Sequence, residues 1–244
     1  MNVGFKFERR AGHEPALRVL LVLGWLATGC GGATAPAPSG VDDVSQGSLL
    51  PWTEGNRWTY RVTTDGAVSQ REVTVGPLEP VGGTGASREV LAHRVTTRED
   101  SGAMTLDWQE RSDTRMVRYR EQTFDAGATS AKSEEWWEPS KLYLDETPEH
   151  LVVESSWIES YQETKQKAGK SANTETTRDL WKVISLGESV TVPAGTFQAI
   201  VVRKTGTSKI KTYWFVRGVG KVKETGEETE ELVSYEVAPE TSTP

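Results

Sequence analysis

Histidines, a run of glutamates and an unusual supply of tryptophan are the residues of this chain that chemistry would draw on. The histidines number three. His13 lies in a basic N-terminal segment. His93 shares an apolar strand face with Leu91 and Val95, where a hydrogen-bonded core histidine is the expectation. His150 follows Thr147-Pro148-Glu149, a helix-start pattern worth one or two turns, and is expected to be exposed. Isolated histidines with neither His-x-x-x-His nor carboxylate-His spacing make no zinc site, so no metal ligand is assigned. The chain has no Gly-x-Ser-x-Gly elbow, phosphate loop or dinucleotide fingerprint, so neither a catalytic residue nor a cofactor is assigned. Glu134, Glu135 and Glu138 invite a carboxylate pair for glycoside chemistry. Such a pair needs a defined separation across a cleft, and the run reads better as solvated charge. A hydrolase is the least favoured class, and the expectation is a protein that is not an enzyme.

There are nine tryptophans. Trp25 belongs to an N-terminal apolar run; Trp52, Trp58, Trp108, Trp136, Trp137, Trp157, Trp181 and Trp214 remain. Aromatics fill large β cores and make cross-strand pairs. They also line concavities that take an acyl chain or a sugar. Trp136, Trp137, Trp157 and Trp214 are the candidate ligand contacts. Trp136 and Trp137 are adjacent and must face opposite ways on a strand, so one leaves the core unless both faces are covered.

The elements that would position these residues are strands. The densest β-forming run is Val190 to Lys223. Val190 and Val192 lead into Pro193-Ala194-Gly195, a hairpin turn with a positive φ at Gly195. Phe197, Ala199 and Val201 share one face and Ile200 and Val202 the other. Tyr213 and Phe215 oppose Trp214 and Val216. Both faces are apolar, so both should be covered. Gly218 and Gly220 read as a turn and a close backbone approach. Alternation also marks strands at Trp58-Tyr60-Val62, Val73-Val75, Leu91-His93-Val95, Met104-Leu106-Trp108 and Val117-Tyr119. Another is Glu134 to Pro139, which Pro139 should end or push to an edge. A long strand through Trp157 and Tyr161 returns from Thr174 to Val183. A last strand is expected to turn Val233, Tyr235 and Val237 inward. About eleven or twelve strands with short turns read as antiparallel all-β, a curved sheet or half-barrel, with a β-sandwich as the alternative.

The formal net charge is −7 with no basic stripe, which argues against nucleic acid as a partner. With one cysteine, Cys30, no intrachain disulfide forms. Lys6, Arg9, Arg10 and Arg18 precede Val19 to Ala27, a basic segment followed by about nine apolar residues, the pattern of a signal peptide. That run is too short for a bilayer core, which needs roughly 20. Leu26-Ala27-Thr28-Gly29-Cys30 resembles the bacterial lipobox. The resemblance implies acylation of Cys30, palmitate among its chains, and attachment to a lipid bilayer; several acyl chains anchor stably. Gly31 follows, not the Asp that retains some lipoproteins at the inner membrane, so the outer membrane facing the periplasm is the expected address. The organisation read from the sequence is a signal peptide at 1–29, lipidated Cys30 with a tether over 30–48, one β domain over 49–237, and a frayed tail over 238–244.

Three pieces, Gly55-Asn56-Arg57-Trp58-Thr59-Tyr60, Val190 to Phe197 and Tyr213 to Gly220, resemble a group of secreted bacterial β-proteins called TapB-like. The resemblance spans the folded part and implies no catalytic residues. A looser likeness of architecture is to the half-barrel lipoprotein carriers of the LolA/LppX type, which cradle lipid. Together these imply a membrane-tethered, non-enzymatic binding or chaperone module for an apolar ligand or an envelope protein. The alternative is a structural or assembly scaffold with protein partners alone.

Overall fold

Strand propensity and short turns dominate the chain, and the computed structural model, which describes residues 47–238, is built from strands throughout. In order these are β1 (Arg57–Thr64), β2 (Ala67–Pro80), β3 (Leu91–Glu99), β4 (Met104–Ser112), β5 (Arg115–Phe124), β6 (Ser133–Asp145), β7 (Ser156–Lys167), β8 (Asn173–Val192), β9 (Gly195–Thr205), β10 (Ile210–Val216), β11 (Gly220–Thr225) and β12 (Thr229–Glu236). Each strand pairs antiparallel with its neighbours in sequence, and β1 pairs with β12, so the sheet closes on itself as an up-and-down barrel. Closure removes the free edges that a half-barrel would leave. The expected all-β, antiparallel curved sheet is therefore present, in its fully closed form. No helix occurs among the described residues. The Thr147 segment makes one turn, in which the Leu151 and His150 amides both donate to the Thr147 carbonyl. The signal peptide, Cys30 and most of the tether and tail lie outside the described residues.

The hairpin turns at 65–66, 100–103, 125–132, 168–172, 206–209 and 226–228 gather at one end of the barrel, the mouth, as the strand registers require. The other end is plugged. Leu49 and Leu50 are fully buried among Met116, Leu142, Leu144, Val183 and Phe215. The plug is clasped by Glu146, whose carboxylate accepts from the Leu49 amide at 3.1 Å and meets Arg111 and Arg217 at 3.1 Å each. Ser48, assigned to the tether from sequence, belongs to the barrel instead: it is buried and its carbonyl accepts from the Gly218 amide. Ala238, assigned to the tail, is likewise held, its amide donating to Asn56 Oδ1.

The outer face has covers of its own. The β2–β3 connection folds over β3 to β5, where Val81 and Ala92 bury Trp108 and Arg120 lies 4.5 Å over its ring. Beyond register shifts near Ser185, the β8–β9 hairpin reaches across β10 and β11. Glu188 accepts from Trp214 Nε1, and the Ala194 amide donates to the Leu232 carbonyl on β12. This is the second cover that the doubly apolar β9 and β10 demanded. At the barrel wall Gly220, with φ +107°, leaves room for Trp58, whose Nε1 donates to the Val219 carbonyl; a Cβ there would sit 3.0 Å from that nitrogen. Elsewhere the outer face is mixed: Arg61 pairs with Glu231 and Arg57 with Glu72 across neighbouring strands, while Ile158, Leu180 and Ile210 are exposed.

Two expectations fail locally. Pro139 does not end β6. It sits in a bulge where β6 leaves β7 after Glu138 and rejoins β5 at Lys141. On β12 the inward residues are Glu230 and Leu232, while Tyr235 is exposed. The interior accepts charge, so the apolar side of a strand is not always its inner side.

Candidate functional site

Register decides which side chains meet inside. Starting from Tyr60, the inward partners run Arg71 to Glu99, Asp107 to Glu121, Glu121 to Glu135, Trp137 to Glu163, Glu163 to Glu175, Lys204 to Lys211, and Glu224 to Glu230. The middle of this barrel is thus lined by ions and aromatic rings. An aromatic stack, His150, Trp157, Trp181, Tyr213 and Phe215, crosses from the plug toward this zone with successive ring centroids 3.9 to 6.3 Å apart.

Two chambers occupy the interior, sharing Arg118, Glu121, Lys204, Lys211 and Tyr213 between them. The inner one, about 280 Å³, is bounded by a compact ionic lattice. Lys221 Nζ lies 2.5 Å from Glu224 and 2.7 Å from Glu230. Lys211 reaches Glu224 at 2.5 Å, and Arg71 binds Glu99 at 2.6 Å, Glu228 at 2.7 Å and Glu230. Burial opposes the charge on Lys221, yet Glu224 and Glu230 outweigh it and hold its pKa well above the ordinary lysine value. Arg71 is raised in the same way against burial, by Glu230 and Glu228. Glu224, despite burial, is held down at about 2 by Lys221 and Lys211. On the opposite wall Asp107 is raised by burial to about 7, against the pull of Arg118. Asp107 Oδ1 and Gln109 Oε1 accept no hydrogen bond there among the described residues.

The outer chamber, about 610 Å³, is bordered by the β9–β10 turn, Gly206 to Lys209, and so lies at the mouth. Its ions are less well matched. Lys204 has one carboxylate at hand, Asp179 at 2.8 Å, and Asp179 also accepts from the Tyr161 hydroxyl. Burial, then repulsion from Lys141, pushes Lys204 down to about 8. Lys141 is lowered too, by burial and then by Arg118; its nearest carboxylate is Glu163 at 3.4 Å. Glu163 itself is well served. Burial raises its pKa, but hydrogen bonds from Trp137 Nε1 and Lys165 overcome that and hold it at about 2. Glu135 is raised by burial, with Lys165 no nearer than 3.9 Å. Trp137 forms part of the wall, with Arg118 at 4.9 Å and Lys141 at 4.6 Å over its ring.

The four tryptophans singled out from sequence do not come together. Trp137 lines the outer chamber. Trp136 faces outward beneath the β2–β3 connection, where a Cβ on Gly85 would lie 3.0 Å from its ring. Trp157 joins the stack beside the plug, and Trp214 lies under the β8–β9 hairpin. His93 is hydrogen-bonded as expected, its Nδ1 2.8 Å from the Gly76 carbonyl oxygen. His150 is not exposed in the manner expected, because its ring stacks on Trp157 and meets Asp145 at 2.8 Å. The glutamate run divides: Glu134 pairs with Arg120 outside, Glu138 accepts from the Ala86 amide, and Glu135 faces the chamber.

The lining is charged, where the sequence reading expects an apolar ligand. An acyl chain here would strip water from Lys141, Lys204 and Glu135 and return no hydrogen bond. The residues that make the chamber polar were passed over as surface charges. A usable signal was present: Glu135, Glu163 and Lys211 each stand two residues from a large aromatic, Trp137, Tyr161 and Tyr213, and share its face.

No family model and no curated relative matches the chain. Among solved structures, it is similar to a protein from Bacteroides fragilis assigned as exported and described as having a YmcC-like fold. Identity is 12% and the TM-score 0.51 over 78% of this chain and 100% of that one. At that identity the likeness concerns fold alone.

Proposed function

We propose that this protein is a non-enzymatic binding module of the bacterial cell envelope, exported and held by acylated Cys30 at the outer membrane, facing the periplasm. Its binding element is the interior of the barrel. The observation that carries the reading is the outer chamber of about 610 Å³, open at the mouth and lined by lysines and glutamates whose charges are incompletely matched. A filled core would pair such groups or replace them with apolar ones. The ligand is polar, since only hydrogen-bonding groups compensate the desolvated ammoniums and carboxylates. Export is supported by the basic and apolar N-terminal pattern and by the description of the structural neighbour. The TapB-like resemblance belongs to this reading, since it too describes secreted β-proteins.

Native mass spectrometry of the full chain, released gently from envelopes, tests the chamber. A reproducible added mass is expected, and Thr177→Trp, which projects into the chamber, should abolish it. A bare mass in both proteins would favour the scaffold reading, in which the barrel's partners are proteins alone. Cys30→Ala tests the anchor: the variant should appear in the soluble envelope fraction, and unchanged membrane retention would refute acylation there.

A further inference from the structure

The outer chamber is lined by like-charged cross-strand pairs of both signs. On β5 and β6, Glu121 stands directly opposite Glu135; on β7 and β8, Glu163 stands opposite Glu175. On β9 and β10, Lys204 stands opposite Lys211. All six face the same chamber. Like charges in directly opposed positions disfavour the pairing they sit on. A sheet built only for stability would alternate the signs. Here β5–β6 and β7–β8 each carry an acidic pair and β9–β10 a basic one, with Arg118, Lys141 and Lys165 set among the acids, Lys165 directly opposite Glu135. Internal partners meet part of this charge: Arg118 binds Glu121, Lys165 and Lys141 approach Glu163, Asp179 binds Lys204, and Glu224 binds Lys211. Glu135, at 3.9 Å from Lys165, is the least compensated acid, and Lys204 the base crowded by other cations.

We propose that the chamber takes a small zwitterion, its anionic group against Lys204 and Lys211 and its ammonium against Glu135 and Glu121. This rests on the reading of the barrel interior as a binding chamber and names the ligand class. An anion alone would leave Glu135 without a close cation, and a cation alone would add to the repulsion at Lys204. A molecule carrying both charges answers both with charge-assisted hydrogen bonds. Such a ligand has two sources: the free termini of an amino acid or short peptide, and a phosphoethanolamine headgroup.

Isothermal titration calorimetry on the full chain in detergent tests it with four probes: the dipeptide Ala-Tyr, its N-acetyl form, its C-terminal amide, and O-phosphoethanolamine. At least one zwitterion should bind, and each singly charged analogue should bind about tenfold or more weakly than the parent dipeptide, the loss expected for one charge-assisted hydrogen bond. Glu135→Gln should erase the penalty for N-acetylation and keep that for amidation; Lys204→Met should do the reverse. Thermal melts establish that both variants fold. Preference for the dipeptide identifies a peptide-type source, and preference for phosphoethanolamine a headgroup. Equal binding of the blocked analogues, or no binding by either zwitterion, overturns the inference. If a mass adduct that Thr177→Trp removes is found alongside that failure, the chamber reading stands and only the ligand class falls.

Discussion

The two chambers of the barrel interior hold similar residues and treat them oppositely. In the smaller chamber, Lys221 sits between two carboxylates and its pKa is driven up; in the larger, Lys204 has one carboxylate, crowding cations, and a pKa driven down. Both lysines are largely buried, so burial alone does not separate them. What separates them is the count and closeness of opposite charges. The inner lattice ties β2 and β3 to β10, β11 and β12, spanning the strands that close the ring. The outer set leaves charge unspent beside open volume. One region is closely paired, the other is not.

Breaking the inner lattice should have the largest effect. Lys221→Met removes the cation between Glu224 and Glu230 and leaves two buried carboxylates together. A destabilisation of about 3–5 kcal/mol is expected in urea unfolding. A loss under 1 kcal/mol would mean the lattice is not what holds the closing strands. The outer set should act in the opposite sense and more gently. Lys204 is depressed in the fold, so the unfolded chain binds its proton more tightly between pH 8 and 10.5. Its contribution therefore makes stability rise with pH through that window. Lys204→Met should flatten this part of the pH profile; an unaltered slope would show that Lys204 is not depressed. Smallest of all should be Lys132→Ala, which breaks the exposed pair with Asp125 at 2.8 Å. A shift within about 0.5 kcal/mol is expected. A larger one would give the mouth-end turns a structural weight that the comparison denies them.

Much of this architecture was legible in the sequence, and the illegible part has a common cause. Period-two alternation found the strands, Gly195 and Gly220 marked their special backbone, and the doubly apolar β9 and β10 announced a second cover, which the β8–β9 hairpin supplies. Closure was not legible, because it depends on β1 meeting β12, a pairing no local pattern encodes. The charged chamber was not legible either, for a physical reason. Sorting apolar positions inward assumes an oily interior, whereas here Glu230 accompanies Leu232 inward and Tyr235 turns out. The same assumption placed Glu135 in a solvated run and made tryptophans the ligand contacts. Of those four, Trp137 alone lines the chamber, and it does so between cations.

Lysine-selective ¹³C NMR titration of the intact protein, with signals assigned by Lys204→Met and Lys221→Met, tests the contrast most directly. The account predicts that Lys204 titrates near pH 8 and that Lys221 keeps its proton well beyond the ordinary 10.5. Both lysines titrating together near 10.5 would contradict it, and with it the contrast between a closely paired chamber and a poorly paired one.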